Sequence, residues 1–317
     1  MKLILSPNIR KIIKLCLKNN KKYNNNVKIH DIDGIGNLIF ERKKDSYKDV
    51  RKYLNEEISL AYLGIKTLSI LSLNIQTNED ECQSIPQGWI DCWLIGNMII
   101  QLTNYSLAAL NLVEAGLESS AKSIVRSIYE ISFLIMALLI DKERMNLYVQ
   151  SLDRKEEVKL WRSHFAFKHL NNALTELEKE LGFPEELRKD IENKRLSTYQ
   201  YYSQSIHNSF ISSIWGSYSV EPSNTDTLNC NLFGKHSLTV KEVIDDLNFA
   251  TFYFILAITV VLKNYHNFKL PVDSDLWNLY YHMDNCYINA YVYVYYYNDI
   301  TAEYEGTIED FPFILRK

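Results

Sequence analysis

Apolar residues recur at intervals of three to four positions along most of the chain between residues 46 and 265. This spacing places them on one face of an α-helix and predicts a series of helices that bury that face. Glycine and proline are scarce, at 10 and 6 among 317 residues, which is typical of long uninterrupted helices. The pattern therefore predicts an all-α fold, a multi-helix bundle.

Two segments outside the regular helical pattern predict a small β appendage. Residues 27–42 have the pattern of a β-hairpin that turns at Asp33-Gly34 or at Gly36-Asn37. Residues 287–297 are rich in tyrosine and valine, a composition typical of strands, although they could also continue a helix from Asp273. We therefore expect the bundle to carry a β appendage formed by the N-terminal segment, the C-terminal segment or both.

The N-terminal part of the chain is basic, although the whole chain has a net charge of −4. Residues 1–53 contain fourteen Lys and Arg against five Asp and Glu. We expect a basic arm over residues 1–45, the bundle over residues 46–270 and a tyrosine-rich segment over residues 271–317 that packs on it. The arm includes an amphipathic helix whose cations could contact RNA: Arg10, Lys11, Lys14 and Lys18. The same arm could instead dock on the acidic body or on an anionic surface.

Cysteine usage and hydropathy indicate where the protein resides. The five cysteines form no Cys-x-x-Cys pair, which fits a reducing compartment better than a disulfide framework. The most apolar stretch, residues 247–262, is shorter than the roughly 20 residues that span a bilayer, which favours a buried core helix. We therefore expect a cytoplasmic protein without stable membrane insertion. A homodimer and a protein partner are both open alternatives.

One candidate site motif lies on the helix predicted over residues 118–140. Arg126 and Glu130 are four residues apart and therefore project from the same side of that helix, with Ser123 nearby. Residues 131–140 are apolar all round, so this helix should be covered on every side. Arg126 and Glu130 would then enter a packed interface, where a charge needs a partner. A structural ion pair, a functional pocket and a surface pair are all open interpretations.

A second motif lies on the helix predicted over residues 193–214. Tyr199, Ser203 and His207 follow one another at intervals of four residues, with Ser209 close by. Ser203 and His207 fall within the apolar stripe of this helix, where two polar groups one turn apart predict a polar pocket. Histidine changes its charge near neutral pH and can act as a general acid or base. A hydrogen-bonded core histidine is the structural alternative.

The chain lacks the motifs of several enzyme classes. It has no phosphate-binding glycine loop, no Gly-x-Ser-x-Gly elbow and no dinucleotide fingerprint. No histidine pair has metal-ligand spacing beside a carboxylate, so we expect neither a metal nor a cofactor. Arg162 and His169 have a spacing similar to that of the helical ribonucleases called HEPN proteins, in which Arg and His act on the RNA backbone. Serine follows Arg162 where that family usually has Asn, Asp or His, so this pair is a secondary candidate.

Residues 105–215 resemble a bacterial family of all-helical proteins catalogued as a domain of unknown function. The resemblance rests on two blocks: residues 114–121 with Arg126 and Glu130, and Tyr199 with Ser203, His207 and Ser209. It covers about a third of the chain and implies an all-α bundle in which the two blocks meet. It implies no established activity. Such proteins are similar in style to helical toxins and phage-defence effectors.

These observations lead to one main hypothesis and two alternatives. We expect a cytosolic bacterial helical effector, ribonuclease-like, in phage defence or a toxin–antitoxin system. Its pocket would join Arg126, Glu130, Ser203 and His207, with His207 as the general acid or base and Arg126 beside an anionic group. The first alternative is a non-enzymatic binding protein in which the same residues form a structural network. The second is an effector that perturbs membranes through the basic helix and residues 247–262.

Overall fold

The structure is a computed structural model, and it describes residues 6–19, 28–77, 88–150, 158–206, 218–221, 224–230, 234–264 and 274–297. Within these ranges the chain forms ten α-helices, which confirms the predicted all-α bundle. Their bounds are α1 Pro7–Asn19, α2 Ile29–Tyr53, α3 Asn55–Thr77, α4 Gly88–Glu114, α5 Glu118–Ile140, α6 Lys142–Gln150, α7 Phe167–Glu180, α8 Glu185–Ile206, α9 Leu238–Asn264 and α10 Asp275–Val292. One π-helical turn, Trp161–Phe165, precedes α7, and a second, Tyr293–Tyr297, follows α10.

Three long apolar helices lie at the centre of the bundle. By length and composition alone, α3, α5 and residues Leu238–Leu262 of α9 could each cross a membrane. In this structure between 56% and 67% of the residues in those apolar windows are buried inside the protein. α5 contacts α4 and α9, and α3 contacts α4, α9 and α10. α5 is buried on all sides from Ile131 to Leu139, as its almost uniformly apolar sequence predicts.

The predicted β-hairpin over residues 27–42 is wrong, because α2 runs through this region from Ile29 to Tyr53. Ile32, Ile35 and Ile39 are spaced by three and four residues, which suits one face of a helix. The glycines within that stretch cost about 1 kcal/mol each relative to alanine in a helix. Good helix formers in the charged segment that follows offset this cost, so the glycine-containing pairs do not form turns. The described part of the N-terminal arm is therefore helical.

The strand interpretation of residues 287–297 is also wrong, and its helical alternative is confirmed. The side chain of Ser274 caps α10 by accepting a hydrogen bond from the N–H of Trp277. An antiparallel β pair does occur, but it joins Tyr218–Glu221 to Asn224–Cys230. It lies within residues 216–239, whose content of Ser, Asn, Thr and Pro predicts a loop, and that prediction is wrong for the paired residues. β-Branched residues in both strands favour the extended conformation there.

A glycine junction orients the start of α5. α4 ends in a Schellman motif, in which the N–H of Gly116 donates to the carbonyl of Val113 and the N–H of Leu117 to that of Leu112, both at 2.8 Å. Gly116 has a φ of 68°, and a Cβ on it would lie 2.5 Å from the backbone nitrogen of Lys235. Only glycine satisfies both the backbone conformation and the close approach. The junction ties the start of α5 to the segment that precedes α9.

Candidate functional site

The two predicted motifs meet where α5 packs against α8. The Nη2 of Arg126 donates a hydrogen bond of 3.1 Å to the hydroxyl of Tyr199, and its Nε donates one of 3.2 Å to Oε1 of Glu130. The hydroxyl of Tyr199 donates in turn to the same Oε1, also at 3.2 Å. We call these three residues the Arg126 cluster. It brings together one carboxylate, one guanidinium and one phenol from two helices.

The Arg126 cluster is partly exposed to solvent. The side chains of Arg126 and Glu130 are 17% and 30% exposed. The ring of Phe167 stacks on that of Tyr199, with 3.6 Å between the centroids, and covers the tyrosine from α7. Burial raises the pKa of Tyr199, and the nearby charge of Glu130 raises it further. Tyr199 therefore stays protonated at neutral pH and holds its hydroxyl as a donor to Glu130.

A cavity of about 230 Å³ opens beside the carboxylate of Glu130. The polar and aromatic residues along its wall are Gln101, Tyr105, Ser127, Glu130, Tyr148 and Trp161. Such a mixture of flat apolar rings and a few polar groups is typical of small-ligand sites. The cavity therefore gives the Arg126 cluster a neighbouring space in which a ligand could lie.

The remaining residues of the predicted pocket are not brought to Arg126 by the described contacts. The hydroxyl of Ser203 donates to the carbonyl of Tyr199 at 2.6 Å, a bond within its own helix. The carbonyl of Ser123 accepts a similar bond from Ser127 at 3.3 Å. His207 and Ser209 lie outside the described residues. Of the four groups expected in one enclosure, the structure therefore joins the guanidinium and the carboxylate.

The secondary candidates, Arg162 and His169, lie on different local structures. Arg162 belongs to the π-helical turn and His169 to α7, and Ala166 between them has extended backbone with a ψ of 147°. The composition of residues 155–181 predicts a helix there, and that prediction is wrong at Ala166. Both side chains are exposed, and neither forms a hydrogen bond or ion pair with the residues that the structure describes.

A second group of the same residue types, absent from the sequence predictions, is completely buried. Arg195 of α8 forms an ion pair with Glu178 of α7, and their side chains are 0% and 1% exposed. The hydroxyl of Tyr253, on α9, donates to Oε1 of Glu178 at 2.6 Å. Asn171 accepts a further hydrogen bond of 2.9 Å from Nε of Arg195. We call Arg195, Glu178 and Tyr253 the buried trio, and it joins three helices.

The buried trio was missed because α8 buries a different face from the predicted one. Helical spacing predicts that Tyr199 and Ser203 belong to an apolar stripe, yet both are only half-buried. The fully buried face instead carries Arg195, Thr198 and Tyr202, at spacings of three and four residues. The helical spacing of these polar residues is the signal of this face in the sequence. Hydrophobic periodicity alone cannot distinguish a buried polar face from an exposed one.

A second, acidic cavity of about 350 Å³ lies between α8 and α9, and its wall includes Tyr201, Glu242 and Asp246. The buried amine of Lys122 donates to the hydroxyl of Tyr201 at 2.8 Å. Burial lowers the pKa of Lys122 and raises the pKa of Tyr201 to about 12. Within the described ranges, no three His, Cys, Asp or Glu side chains are grouped so as to hold a metal ion. The acidic side chains here instead bind cationic and phenolic groups of the protein, such as the hydroxyl of Tyr202 on Asp246.

No family model, curated protein or solved structure matches this chain. The function proposed for it must therefore follow from the chemistry of its sites.

Proposed function

We propose that the chain is a cytosolic bacterial helical effector that binds RNA at the Arg126 cluster and cleaves it, in phage defence or a toxin–antitoxin system. The observation that carries the proposal is the fixed, partly exposed guanidinium of Arg126. Its Nε and Nη2 are held by Glu130 and Tyr199, whereas its Nη1 makes no hydrogen bond with the described part of the chain. An arginine oriented in this way can direct its remaining N–H groups at a phosphate.

The proposed chemistry assigns each group one task. His207, the residue that follows Ile206 at the end of α8, takes the proton of an RNA 2′-hydroxyl as general base. The 2′-oxygen then attacks the adjacent phosphorus to form a 2′,3′-cyclic phosphate, and the 5′-oxygen leaves with the proton that His207 returns to it as general acid. Arg126 stabilises the charge on the phosphate oxygens, and Glu130 holds the guanidinium in place.

The basic arm supplies a further attraction for RNA in this proposal. Lys11, Lys14 and Lys18 are exposed on α1, whereas Arg10 is paired with Asp33 of α2. Exposed lysines can neutralise backbone phosphates, and such contacts weaken as the salt concentration rises. Cleavage should therefore slow at high salt, and the size of this effect should depend on the exposed lysines of the arm.

The direct test is cleavage of labelled RNA by the purified chain and by two histidine variants. We expect His207→Ala to lower the cleavage rate at least a hundredfold, because general acid–base catalysis contributes about 10²–10⁴-fold. His282→Ala removes an exposed histidine of α10 and should leave the rate unchanged. Equal cleavage by the wild type and His207→Ala would contradict the proposal. Loss in His169→Ala alone would move the chemistry to Arg162 and His169.

One observation favours a non-enzymatic alternative, a binding protein in which the cluster is a structural network. Oε1 of Glu130 accepts from both Arg126 and Tyr199, and Ser203 is occupied by its own helix. The polar groups therefore largely satisfy one another. This alternative expects no RNA cleavage above background together with a loss of stability when Arg126 is removed.

A further inference from the structure

The cavity beside Glu130 has aromatic walls that pack on the ring of Phe165. Tyr148 packs edge-on against Phe165 with 5.3 Å between the ring centroids, and Trp161 packs against the same ring at 6.0 Å. Trp161 is nevertheless 38% exposed, so part of its face is open to the cavity and to solvent. Aromatic rings held in this way provide a stacking surface for a flat ligand, and each stacked base contributes about 1–3 kcal/mol in nucleic-acid complexes.

Two polar residues in the cavity, Gln101 and Glu130, present acceptor oxygens. Gln101 donates its amide N–H to the hydroxyl of Tyr105 at 2.9 Å, which leaves its Oε1 as an acceptor. Oε1 of Glu130 already takes two hydrogen bonds from within the Arg126 cluster. Neither Oε2 of Glu130 nor Oε1 of Gln101 accepts a hydrogen bond from the residues that the structure describes. A ligand that fits these two acceptors must present N–H or O–H donors.

The size of the cavity limits the ligand to one ring system. Its volume of about 230 Å³ is below the range of about 300–1,000 Å³ that holds drug-sized molecules. Among the four RNA bases, the one with two adjacent N–H donors is guanine, whose Watson–Crick edge carries both an N1–H and an amino group. Single-stranded RNA is read in this way, by stacking on aromatic rings and by hydrogen bonds to base edges.

We propose that this cavity binds one guanine base and so selects the position at which RNA is bound next to Arg126. The proposal rests on the proposed action on RNA for its biological meaning, but binding of the base can be measured without cleavage. Glu130 is shared between the two sites, because one of its oxygens faces Arg126 and the residue lines the cavity. A base in the cavity would therefore lie beside the guanidinium that is proposed to contact phosphate.

The test is isothermal titration of the full chain with the four ribonucleoside 5′-monophosphates. We expect GMP to bind at least tenfold more tightly than UMP, AMP or CMP. Trp161→Ala and Gln101→Leu should each weaken GMP binding about tenfold or more, by removing a stacking surface and an acceptor. Trp93→Ala, which removes another exposed tryptophan outside this cavity, should leave the affinity for GMP unchanged. Circular dichroism would establish that each variant is folded.

Each outcome separates this inference from the proposed function. Equal binding of all four nucleotides, no binding, or GMP affinity that survives both cavity substitutions would overturn the guanine site. Cleavage of RNA without GMP binding would retain the ribonuclease and remove the guanine site. GMP binding without cleavage of any RNA would support the guanine site and remove the ribonuclease.

Discussion

The Arg126 cluster and the buried trio contain the same three residue types in almost the same arrangement. In each, one glutamate Oε1 takes a hydrogen bond from a tyrosine hydroxyl and is paired with an arginine. They differ in burial. The charged side chains of the trio are at most 1% exposed, whereas the side chain of Glu130 is 30% exposed. Removing one partner of a completely buried ion pair leaves an uncompensated charge in the interior, so such a pair constrains the fold. A partly exposed pair beside a cavity can also meet a ligand.

α8 connects these two regions. Arg195 and Tyr199 are one helical turn apart on it, so the trio that fixes the position of Arg195 also fixes that of Tyr199. The guanidinium of Arg195 lies 5.9 Å from the ring of Phe133, and that ring contacts Phe167, which stacks on Tyr199. The buried trio therefore helps to hold Tyr199 of the candidate site in position. Substitutions in the trio should lower the stability of the protein more than substitutions in the Arg126 cluster.

The largest effect is expected for Arg195→Ala. This change leaves the carboxylate of Glu178 buried without its cation, and breaking a buried pair in this way costs about 3–5 kcal/mol. We expect a loss of that size in the free energy of unfolding, measured by urea denaturation. Because such a variant can fail to fold, the double variant Arg195→Met with Glu178→Leu is the matched control.

The double variant removes both charges and retains apolar volume, so it should recover most of the lost stability. A double variant as unstable as Arg195→Ala would show that the trio does not act as an ion pair. Full stability in Arg195→Ala itself would remove the distinction between the two regions, because the buried arginine would then be as dispensable as a surface one.

The sequence predicts the bundle because helical periodicity is a strong local signal. The β-hairpin prediction is wrong because glycines that favour turns, such as Gly34, lie here within the continuous helix α2. The buried trio could not be predicted from the sequence, for a different reason. Its members come from three helices, and no local pattern in α7, α8 or α9 reports that Glu178 and Tyr253 converge on Arg195. Contacts of this kind depend on how the helices pack.

A smaller effect is expected for Arg126→Ala, with Arg144→Ala as a matched control. Their side chains are 17% and 19% exposed, and each pairs with an acidic residue on or next to its own helix. Arg126 also bonds to Tyr199 across an interface, so its removal should cost about 1–2 kcal/mol of unfolding free energy. Arg144 pairs with Asp141 at 3.6 Å, and its removal should cost below about 0.5 kcal/mol.

Urea denaturation of both variants tests this difference. Equal losses would indicate that the contact of Arg126 with Tyr199 adds nothing to a local ion pair. A loss of unfolding free energy as large as that of Arg195→Ala would mean that the Arg126 cluster belongs to the structural core. The guanidinium of Arg126 would then not be available for the proposed ligand contact.

The smallest effect is expected at alkaline pH, from the two tyrosines. Burial raises the pKa of Tyr253 well above its usual value of 10, with Glu178 raising it further and Arg195 opposing, and it raises the pKa of Tyr199 less. A raised pKa in the folded state contributes stability that is present below pH 10 and lost as the pH rises through the pKa of the folded state. The wild type should therefore lose stability above pH 10.

Tyr253→Phe should make that alkaline loss shallower than in the wild type, and Tyr199→Phe should change it less. The measurement is the free energy of unfolding between pH 9 and pH 11, with the slopes of the three proteins compared. The other buried tyrosines titrate in all three proteins, so differences between the slopes isolate the two replaced groups. A greater change of slope in Tyr199→Phe would mean that Tyr199 is the more deeply enclosed hydroxyl, because only a phenol kept from water in the folded state resists ionisation that the unfolded chain allows.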